Sequence, residues 1–199
     1  IVEPTSPVAL TTNGVGNSLF TSLVIKPTSS VVISGAPSAG FGVLNFNGSD
    51  NVTIDGSIAA GGETRDLTIQ NTNSLSFGNT AVIRLIGQTT SGMGIDNFTI
   101  KNNILIGNTT GSNGISGSSV STSYGIYAGS TAATTMSAST GGANYDNVTV
   151  ENNEIKKAYI GVHFYGSTTN QNDNLIIRNN VIGSSTTADQ IGYRGIIAY

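Results

Sequence analysis

The sequence predicts an all-β fold: a right-handed, single-stranded parallel β-helix of about six to seven coils. Three observations predict it. A polar turn pair followed by a short alternating strand ending in Asn or Gly returns along the chain. A second class of short apolar strands, bounded by Gly, is interleaved with the first. The 37% hydrophobic content sits in these short strands, while charged residues are only 10% and 26 residues are Gly. A repeat of this kind describes a chain that winds rather than one that folds round a single globular centre.

The elements follow in order. The less regular N-terminal part, 1–40, contains Ser22–Lys26 and Val31–Ser34 as strands of an early coil, and Val43–Asn47 reads as the next strand. The first strand class is carried by Asp50–Gly56, Arg65–Asn71, Asp96–Asn103, Asp146–Asn153 and Asp173–Asn180. Aligned in register, Val52/Ile54, Leu67/Ile69, Phe98/Ile100, Val148/Val150 and Leu175/Ile177 point inward, because strand side chains alternate between faces. The residues between them, Thr53, Thr68, Thr99, Thr149 and Ile176, are all β-branched, which suits an outward strand position. Only 15 residues separate Val52 from Leu67. Either the coil is compressed there or the two lie in different columns, and spacing alone leaves both open.

The second strand class is Thr80–Gly87, Gly125–Gly129, Gly161–Gly166 and Gly195–Ala198. Its inward pairs are Ile83/Leu85, Ile126/Ala128, Val162/Phe164 and Ile196/Ala198. One coil then takes roughly 27–35 residues. Neighbours joined by such long connections stack in parallel, since a hairpin is needed for antiparallel pairing. Stacked about 4.8 Å apart, the coils make a rod on the order of 30 Å long. The stretches 108–123 and 130–144, rich in Ser, Thr, Gly and Ala, read as surface loop insertions in one domain spanning 1–199. The chain starts without Met and stops inside an apolar stretch, so it reads as part of a longer, processed chain.

Composition excludes several function classes. Net charge is −3 and the eight Lys and Arg are scattered, so there is no clustered basic face for nucleic acid. No apolar run reaches membrane-spanning length. With no Cys and one His, thiolate chemistry and a His-based metal centre are not available. No cofactor is expected. The turn residues Asp50, Asp96, Asp146 and Asp173 form a carboxylate column that would hold Ca²⁺ only if the oxygens converged, and turn capping explains them better. The Asn pairs at 102–103, 152–153 and 179–180 read as a structural ladder, since Asn accepts left-handed backbone and its amide stacks along a sheet. Lys101, Glu151 and Arg178 alternate in sign at one outward position, which sets register rather than chemistry.

One column has the composition of a ligand site. Arg84, Tyr127, His163 and Ile197 face outward on the second strand class, with Tyr165 two residues beyond His163 on the same side. Aromatic and cationic groups spaced by the coil rise form a strip on which pyranose rings can stack. The expected sugar-facing residues are thus Arg84, Tyr127, His163 and Tyr165. His163 has no acid in its own strand, so no catalytic residue is assigned.

The phrases Asn51–Ser57, Arg65–Asn73, Thr80–Gly87 and Ile191–Ile196 resemble right-handed parallel β-helix repeat proteins of the surface of Bacteroidetes-type bacteria. The resemblance covers about 40–199 and implies an extracellular, adhesive or structural role. The fold it implies is also similar to that of pectate lyases and polygalacturonases, but their acid clusters and the Gly-His-Gly and Arg-Ile-Lys stretches do not occur here. A glycosidase needs two carboxylates facing one groove. The expectation is a non-catalytic structural or adhesive segment whose partners are neighbouring copies or other surface proteins at the open helix ends, or a polysaccharide. A carbohydrate-binding module and a fragment of a polysaccharide lyase or hydrolase are the alternatives.

Overall fold

The computed structural model describes residues 9–11 (backbone only), 20–74, 79–87, 94–109, 123–129, 136, 143–166, 169 and 171–199. Most of the two expected loop insertions, 108–123 and 130–144, and part of 1–40 lie outside the described residues.

Three parallel sheets wrap the interior. The first contains β2 (Leu23–Ile25), β5 (Val52–Asp55), β9 (Thr99–Lys101), β13 (Thr149–Glu151) and β16 (Ile176–Arg178). The second contains β3 (Val31–Gly35), β6 (Leu67–Asn71), β10 (Asn103–Ile106), β14 (Glu154–Lys156) and β17 (Val181–Ile182). The third contains β1 (Ala9–Thr11), β4 (Gly42–Asn47), β7 (Thr80–Ile86), β11 (Ser123–Ala128), β15 (Ala158–Phe164) and β18 (Ile191–Ala198). A small ladder of β8 (Ile95–Asp96) and β12 (Tyr145–Asp146) lies ahead of the first sheet. From β2 onward the chain visits first, second and third sheet in turn, and every pairing among the described strands is parallel. The molecule is a parallel β-helix.

Single left-handed residues make the corners. Asn102, Asn152 and Asn179 (φ 61°, 50° and 56°) turn the chain from first to second sheet. Lys157 (φ 55°) separates β14 from β15. Asn51, Asn97, Asn147 and Asn174 (φ 54° to 58°) aim the chain into the first sheet. Asn tolerates this region because its short polar side chain bonds locally. Gly56 takes the place of an Asn for another reason. A Cβ there would collide with the Asn102 carbonyl oxygen of the next coil.

Both inward columns appear as the alternation demands. Val150 lies between Ile100 and Ile177 in register, and Ile126 lies between Ile83 and Val162. The side chains of Val150, Ile100, Ile126, Ile83 and Val162, with Phe46, Val52, Phe98, Leu105, Val148, Ile155 and Phe164, form one continuous buried core, and Ile177 packs against it partly buried. Tyr145 also enters it. Its hydroxyl reaches the Leu85 and Gly129 carbonyls at 3.3 Å each and accepts the Gly129 N–H at 3.0 Å. Burial pushes this phenol well above the ordinary tyrosine range.

Two expectations need correction. Leu67 and Ile69 do not share a column with Val52 and Ile54. They lie in β6 of the second sheet, paired with Asn103–Ile106 on one side and Val31–Gly35 on the other. This resolves the short spacing between Val52 and Leu67, which is one side of a coil rather than a whole one. Coil length is also less uniform than 27–35 residues. Equivalent corner residues bonded across the stack are separated by 46 (Asn51 to Asn97), 50 (Asn103 to Asn153) and 27 (Asn147 to Asn174) residues. The difference lies in the segments between strands, where added residues cost little once the strands on either side are paired.

Candidate functional site

The outward strip on the third sheet is aligned as its sequence spacing requires. Asn45, Arg84, Tyr127, His163 and Ile197 occupy one register position in β4, β7, β11, β15 and β18. Tyr127 stacks on His163 of the next coil at 5.0 Å and 3°, and within that coil His163 lies 6.1 Å from Tyr165, two residues further on, at 13°. At the other end of the strip the Arg84 guanidinium lies 5.4 Å from the centre of the Phe41 ring. The coil spacing fixes the Tyr127–His163 separation, and the two-residue repeat of an extended strand fixes that of His163 and Tyr165.

The strip is not presented to solvent, however. Arg84, Tyr127 and His163 are buried, and only Tyr165 is partly exposed. Tyr127 and Ile197 belong to a second apolar cluster with Ala81, Tyr124, Met136, Tyr159 and Ile160 on the outside of this sheet. Burial draws the Arg84 guanidinium pKa below the ordinary arginine range, with Tyr127 and Tyr145 partly opposing the change. His163 sets Nδ1 3.1 Å from the Ala128 carbonyl oxygen, which holds the ring in the stack. Chain position gave no sign of this cover, since Met136 lies ten residues beyond Ile126 in a low-complexity stretch.

The polar corners are fully built. Asn103 donates its backbone N–H and Nδ2 to Asn153 Oδ1 at 3.0 and 3.1 Å, and Asn153 repeats both bonds to Asn180 Oδ1 at 2.9 and 3.0 Å. Each Nδ2 also holds a carbonyl of the preceding coil: Ile54, Ile100 and Val150 for Asn103, Asn153 and Asn180. The ladder expected from the Asn pairs is therefore a structural one. The Asp column caps turns as well: Asp50 Oδ1 accepts the Asp96 N–H, and Asp146 Oδ1 accepts the Asp173 N–H, each at 2.9 Å. Among the described residues no group of three or more His, Asp or Glu converges on a metal position.

On the outside of the first sheet, Asp55 collects cations. Lys26 Nζ lies 3.2 Å and Lys101 Nζ 3.5 Å from its Oδ2. Burial alone would raise its pKa. Hydrogen bonds from Asn102, from the Ser57 amide and hydroxyl, and from Lys26 outweigh burial and hold the carboxyl far below its usual range. Asp96 goes the other way. Burial first, then the nearby Asp50 and Asp146 carboxylates, raise it.

These shifts act on stability with opposite signs. Asp55 stabilises the fold above its unfolded pKa of about 3.9, and that contribution fades as pH falls toward its lower folded value. Asp96, raised on folding, favours the folded chain at low pH, and this is lost as pH rises through its folded pKa. Urea unfolding at pH 7 and pH 3 should show Asp55→Asn less stable than the parent at both, with a narrower gap at pH 3. Asp96→Asn should be more stable than the parent at pH 7. Parallel pH profiles for all three chains would contradict both assignments.

The residues after Asp55 form a strap that the strand pattern did not reveal. Between Gly56 and Asp66 the chain runs along the stack rather than around it. Lys26 Nζ donates to the Ala59 carbonyl at 2.9 Å, Asn102 Nδ2 to that of Gly62 at 3.1 Å, and Asn152 Nδ2 to that of Glu63 at 2.9 Å. Arg65 crosses furthest, donating to the Asn152 carbonyl at 2.8 Å and to its Oδ1 at 3.0 Å. The pair Arg65–Asp66 is thus not a member of the Asp column. Beneath the strap, Glu63, Lys101, Asn102, Glu151, Asn152 and Asn179 line a polar groove of about 330 Å³.

At the far end of the rod, β16, β17 and β18 are the last members of their sheets. Ile196 shares a register position with Val162, yet it is 47% exposed where Val162 is 0% exposed. Val181 of β17 and Tyr199, which follows β18, are exposed as well. Comparisons with family models, with curated proteins and with solved structures find no match to this chain.

Proposed function

We propose that this chain is a non-catalytic structural or adhesive rod segment of an extracellular bacterial surface or filament protein. One observation carries the reading. The three sheets stack in parallel register along one axis, and the Asn103–Asn153–Asn180 ladder ties successive coils at their corners. A solenoid tied coil to coil in this way is a quasi-one-dimensional rod, which suits a structural or adhesive spacer. The partner in this reading is a neighbouring copy or another surface protein. The likeness of the repeat phrases to bacterial surface β-helix proteins supports the extracellular placement. Immunogold negative-stain images of the source cell's surface should place label along rods or filaments. Label confined to the cell interior would overturn the proposal.

A carbohydrate-binding reading draws on a different set of rings from those first expected. Tyr193 is exposed on the third sheet, stacked on Tyr159 at 5.1 Å, with the Arg194 guanidinium 4.7 Å from its ring centre. Rings exposed in this way are suited to stacking on sugars. A glycan array with Tyr165→Ala and Tyr193→Ala variants tests this reading, and undiminished binding in both would remove this face from consideration.

A further inference from the structure

We infer that residues 57–65 form a hinged strap with a closed and an open position, and that Arg65 holds it closed by occupying an acceptor, Asn152 Oδ1, that Asn179 takes when the strap opens. Opening uncovers the polar groove beneath the strap. The inference stands apart from the rod reading above.

The latch interrupts a column of corner amides. Asp55 Oδ1 accepts Asn102 Nδ2, and Asn102 Oδ1 accepts Asn152 Nδ2, each at 2.8 Å. The next rung of this column runs from Asn179 Nδ2 to Asn152 Oδ1. Asn179 is placed for it. Arg178 is in register with Glu151, and the Asn152 N–H bonds the Arg178 carbonyl at 3.2 Å. Asn152 and Asn179 share the left-handed corner conformation, at φ 50° and 56°. Yet the Arg65 guanidinium occupies the acceptor instead, at 3.0 Å, and its Nε holds the Asn152 carbonyl at 2.8 Å. The Asn179 side chain makes no hydrogen bond to another described residue.

Release strands no buried donor. Asn102 Nδ2 donates to the Gly62 carbonyl and Asn152 Nδ2 to that of Glu63, and each keeps its rung of the column when the strap leaves. The tip is unpacked: a Cβ at Gly61, where φ is 70°, would meet nothing within 4 Å. Glu63 and Thr64 are exposed, so the freed carbonyls meet water rather than a dry interior. Both ends of the strap stay fixed. The Gly56 carbonyl accepts the N–H of Asp66 at 2.8 Å and of Leu67 at 3.1 Å, and Asp66 Oδ2 accepts the Ile58 N–H at 3.1 Å. A short loop with its ends tied together is a flap on a fixed base. When Arg65 leaves, Asn179 replaces it on Asn152 Oδ1, so the open state recovers one of the lost bonds. Two donors that exclude each other on one acceptor give two discrete arrangements rather than a continuum.

Limited digestion of the full chain with a Glu-specific protease reads the open population, because cleavage after Glu63 requires the strap to leave the groove. Arg65→Ala should raise the rate at Glu63 about tenfold, in keeping with the loss of charge-assisted bonds. Asn179→Ala should lower it about fivefold, since the open state then lacks its replacement bond. In the Arg65→Ala background the same Asn179→Ala change should have no effect, because Asn179 there reaches Asn152 whether the strap is open or closed. Cleavage after Glu151, at the end of β13, should be equal in every variant. A rate at Glu63 unchanged by Arg65→Ala refutes the latch. An Asn179→Ala chain cut at Glu63 as fast as the parent, or faster, refutes the exchange of donors. Rates at Glu63 that move only in step with those at Glu151 mean general loosening, and the two-position strap fails.

Discussion

Phe98→Ala is expected to destabilise the chain by about 3–5 kcal/mol, the range for removing a buried aromatic ring. Phe98 is completely buried just ahead of β9, and its ring meets that of Phe46 edge to face at 4.9 Å between centres. In a globular core, neighbours on several elements can move into a vacated volume. Here the layers above and below are held at the strand spacing of about 4.8 Å by continuous hydrogen-bond ladders. Phe98's own carbonyl accepts the Thr149 N–H at 2.8 Å, tying its backbone to the next coil. The cavity therefore stays open, and its lining loses dispersion contacts outright. Phe98→Leu, which retains most of the volume, should cost less than half as much. Urea unfolding followed by circular dichroism reads both values. A loss below about 1 kcal/mol for alanine would mean that the interior is not packed as a jigsaw.

Asn153→Ala should cost about 3 kcal/mol, because several partners are stranded together in a dry corner. Asn153 accepts two bonds from Asn103 and donates one each to the Ile100 carbonyl and Asn180 Oδ1, and it is fully buried. Alanine leaves the Asn103 donors and the Ile100 oxygen without a replacement. Asn153→Asp separates hydrogen bonding from size. An ionised Asp keeps the acceptor, but it cannot donate to Ile100 and sets a carboxylate against Asn180 Oδ1. It should be at least as damaging as alanine at pH 7. Asn180→Ala, at the exposed edge of the same ladder, should cost well under half as much. Equal losses for Asn153→Ala and Asn180→Ala would show that burial of the ladder contributes little.

Much of the architecture was legible before any coordinates. Period-two alternation named the inward residues correctly, since Val52, Ile54, Phe98, Ile100, Val148 and Val150 are all buried. The Asn pairs named the corners, because left-handed backbone and amide stacking are demands that few other side chains meet. The assignment of strands to sheets was harder. Leu67-Thr68-Ile69 looks like Val52-Thr53-Ile54, because strands of every sheet in a coil meet the same in–out environment. Only the register, Leu67 opposite Asn103 rather than Phe98, separates them. The role of Arg65 was not legible for a related reason. Its partner Asn152 is 87 residues away, and nothing local signals a side chain that reaches along the rod axis.

The sequence by itself determined the winding, the dry interior, the corner ladders and the sign alternation along the first sheet. Each depends on a residue type recurring at a fixed place in the coil, and stacking turns recurrence into contact. Only the tertiary structure decided which outward faces meet solvent. Arg84, Tyr127 and His163 alternate outward as polar and aromatic residues on an exposed face would, yet they are buried. Pleating sets the side of the sheet on which a side chain stands. Whether another part of the chain lies over that side is a long-range fact that local alternation does not encode.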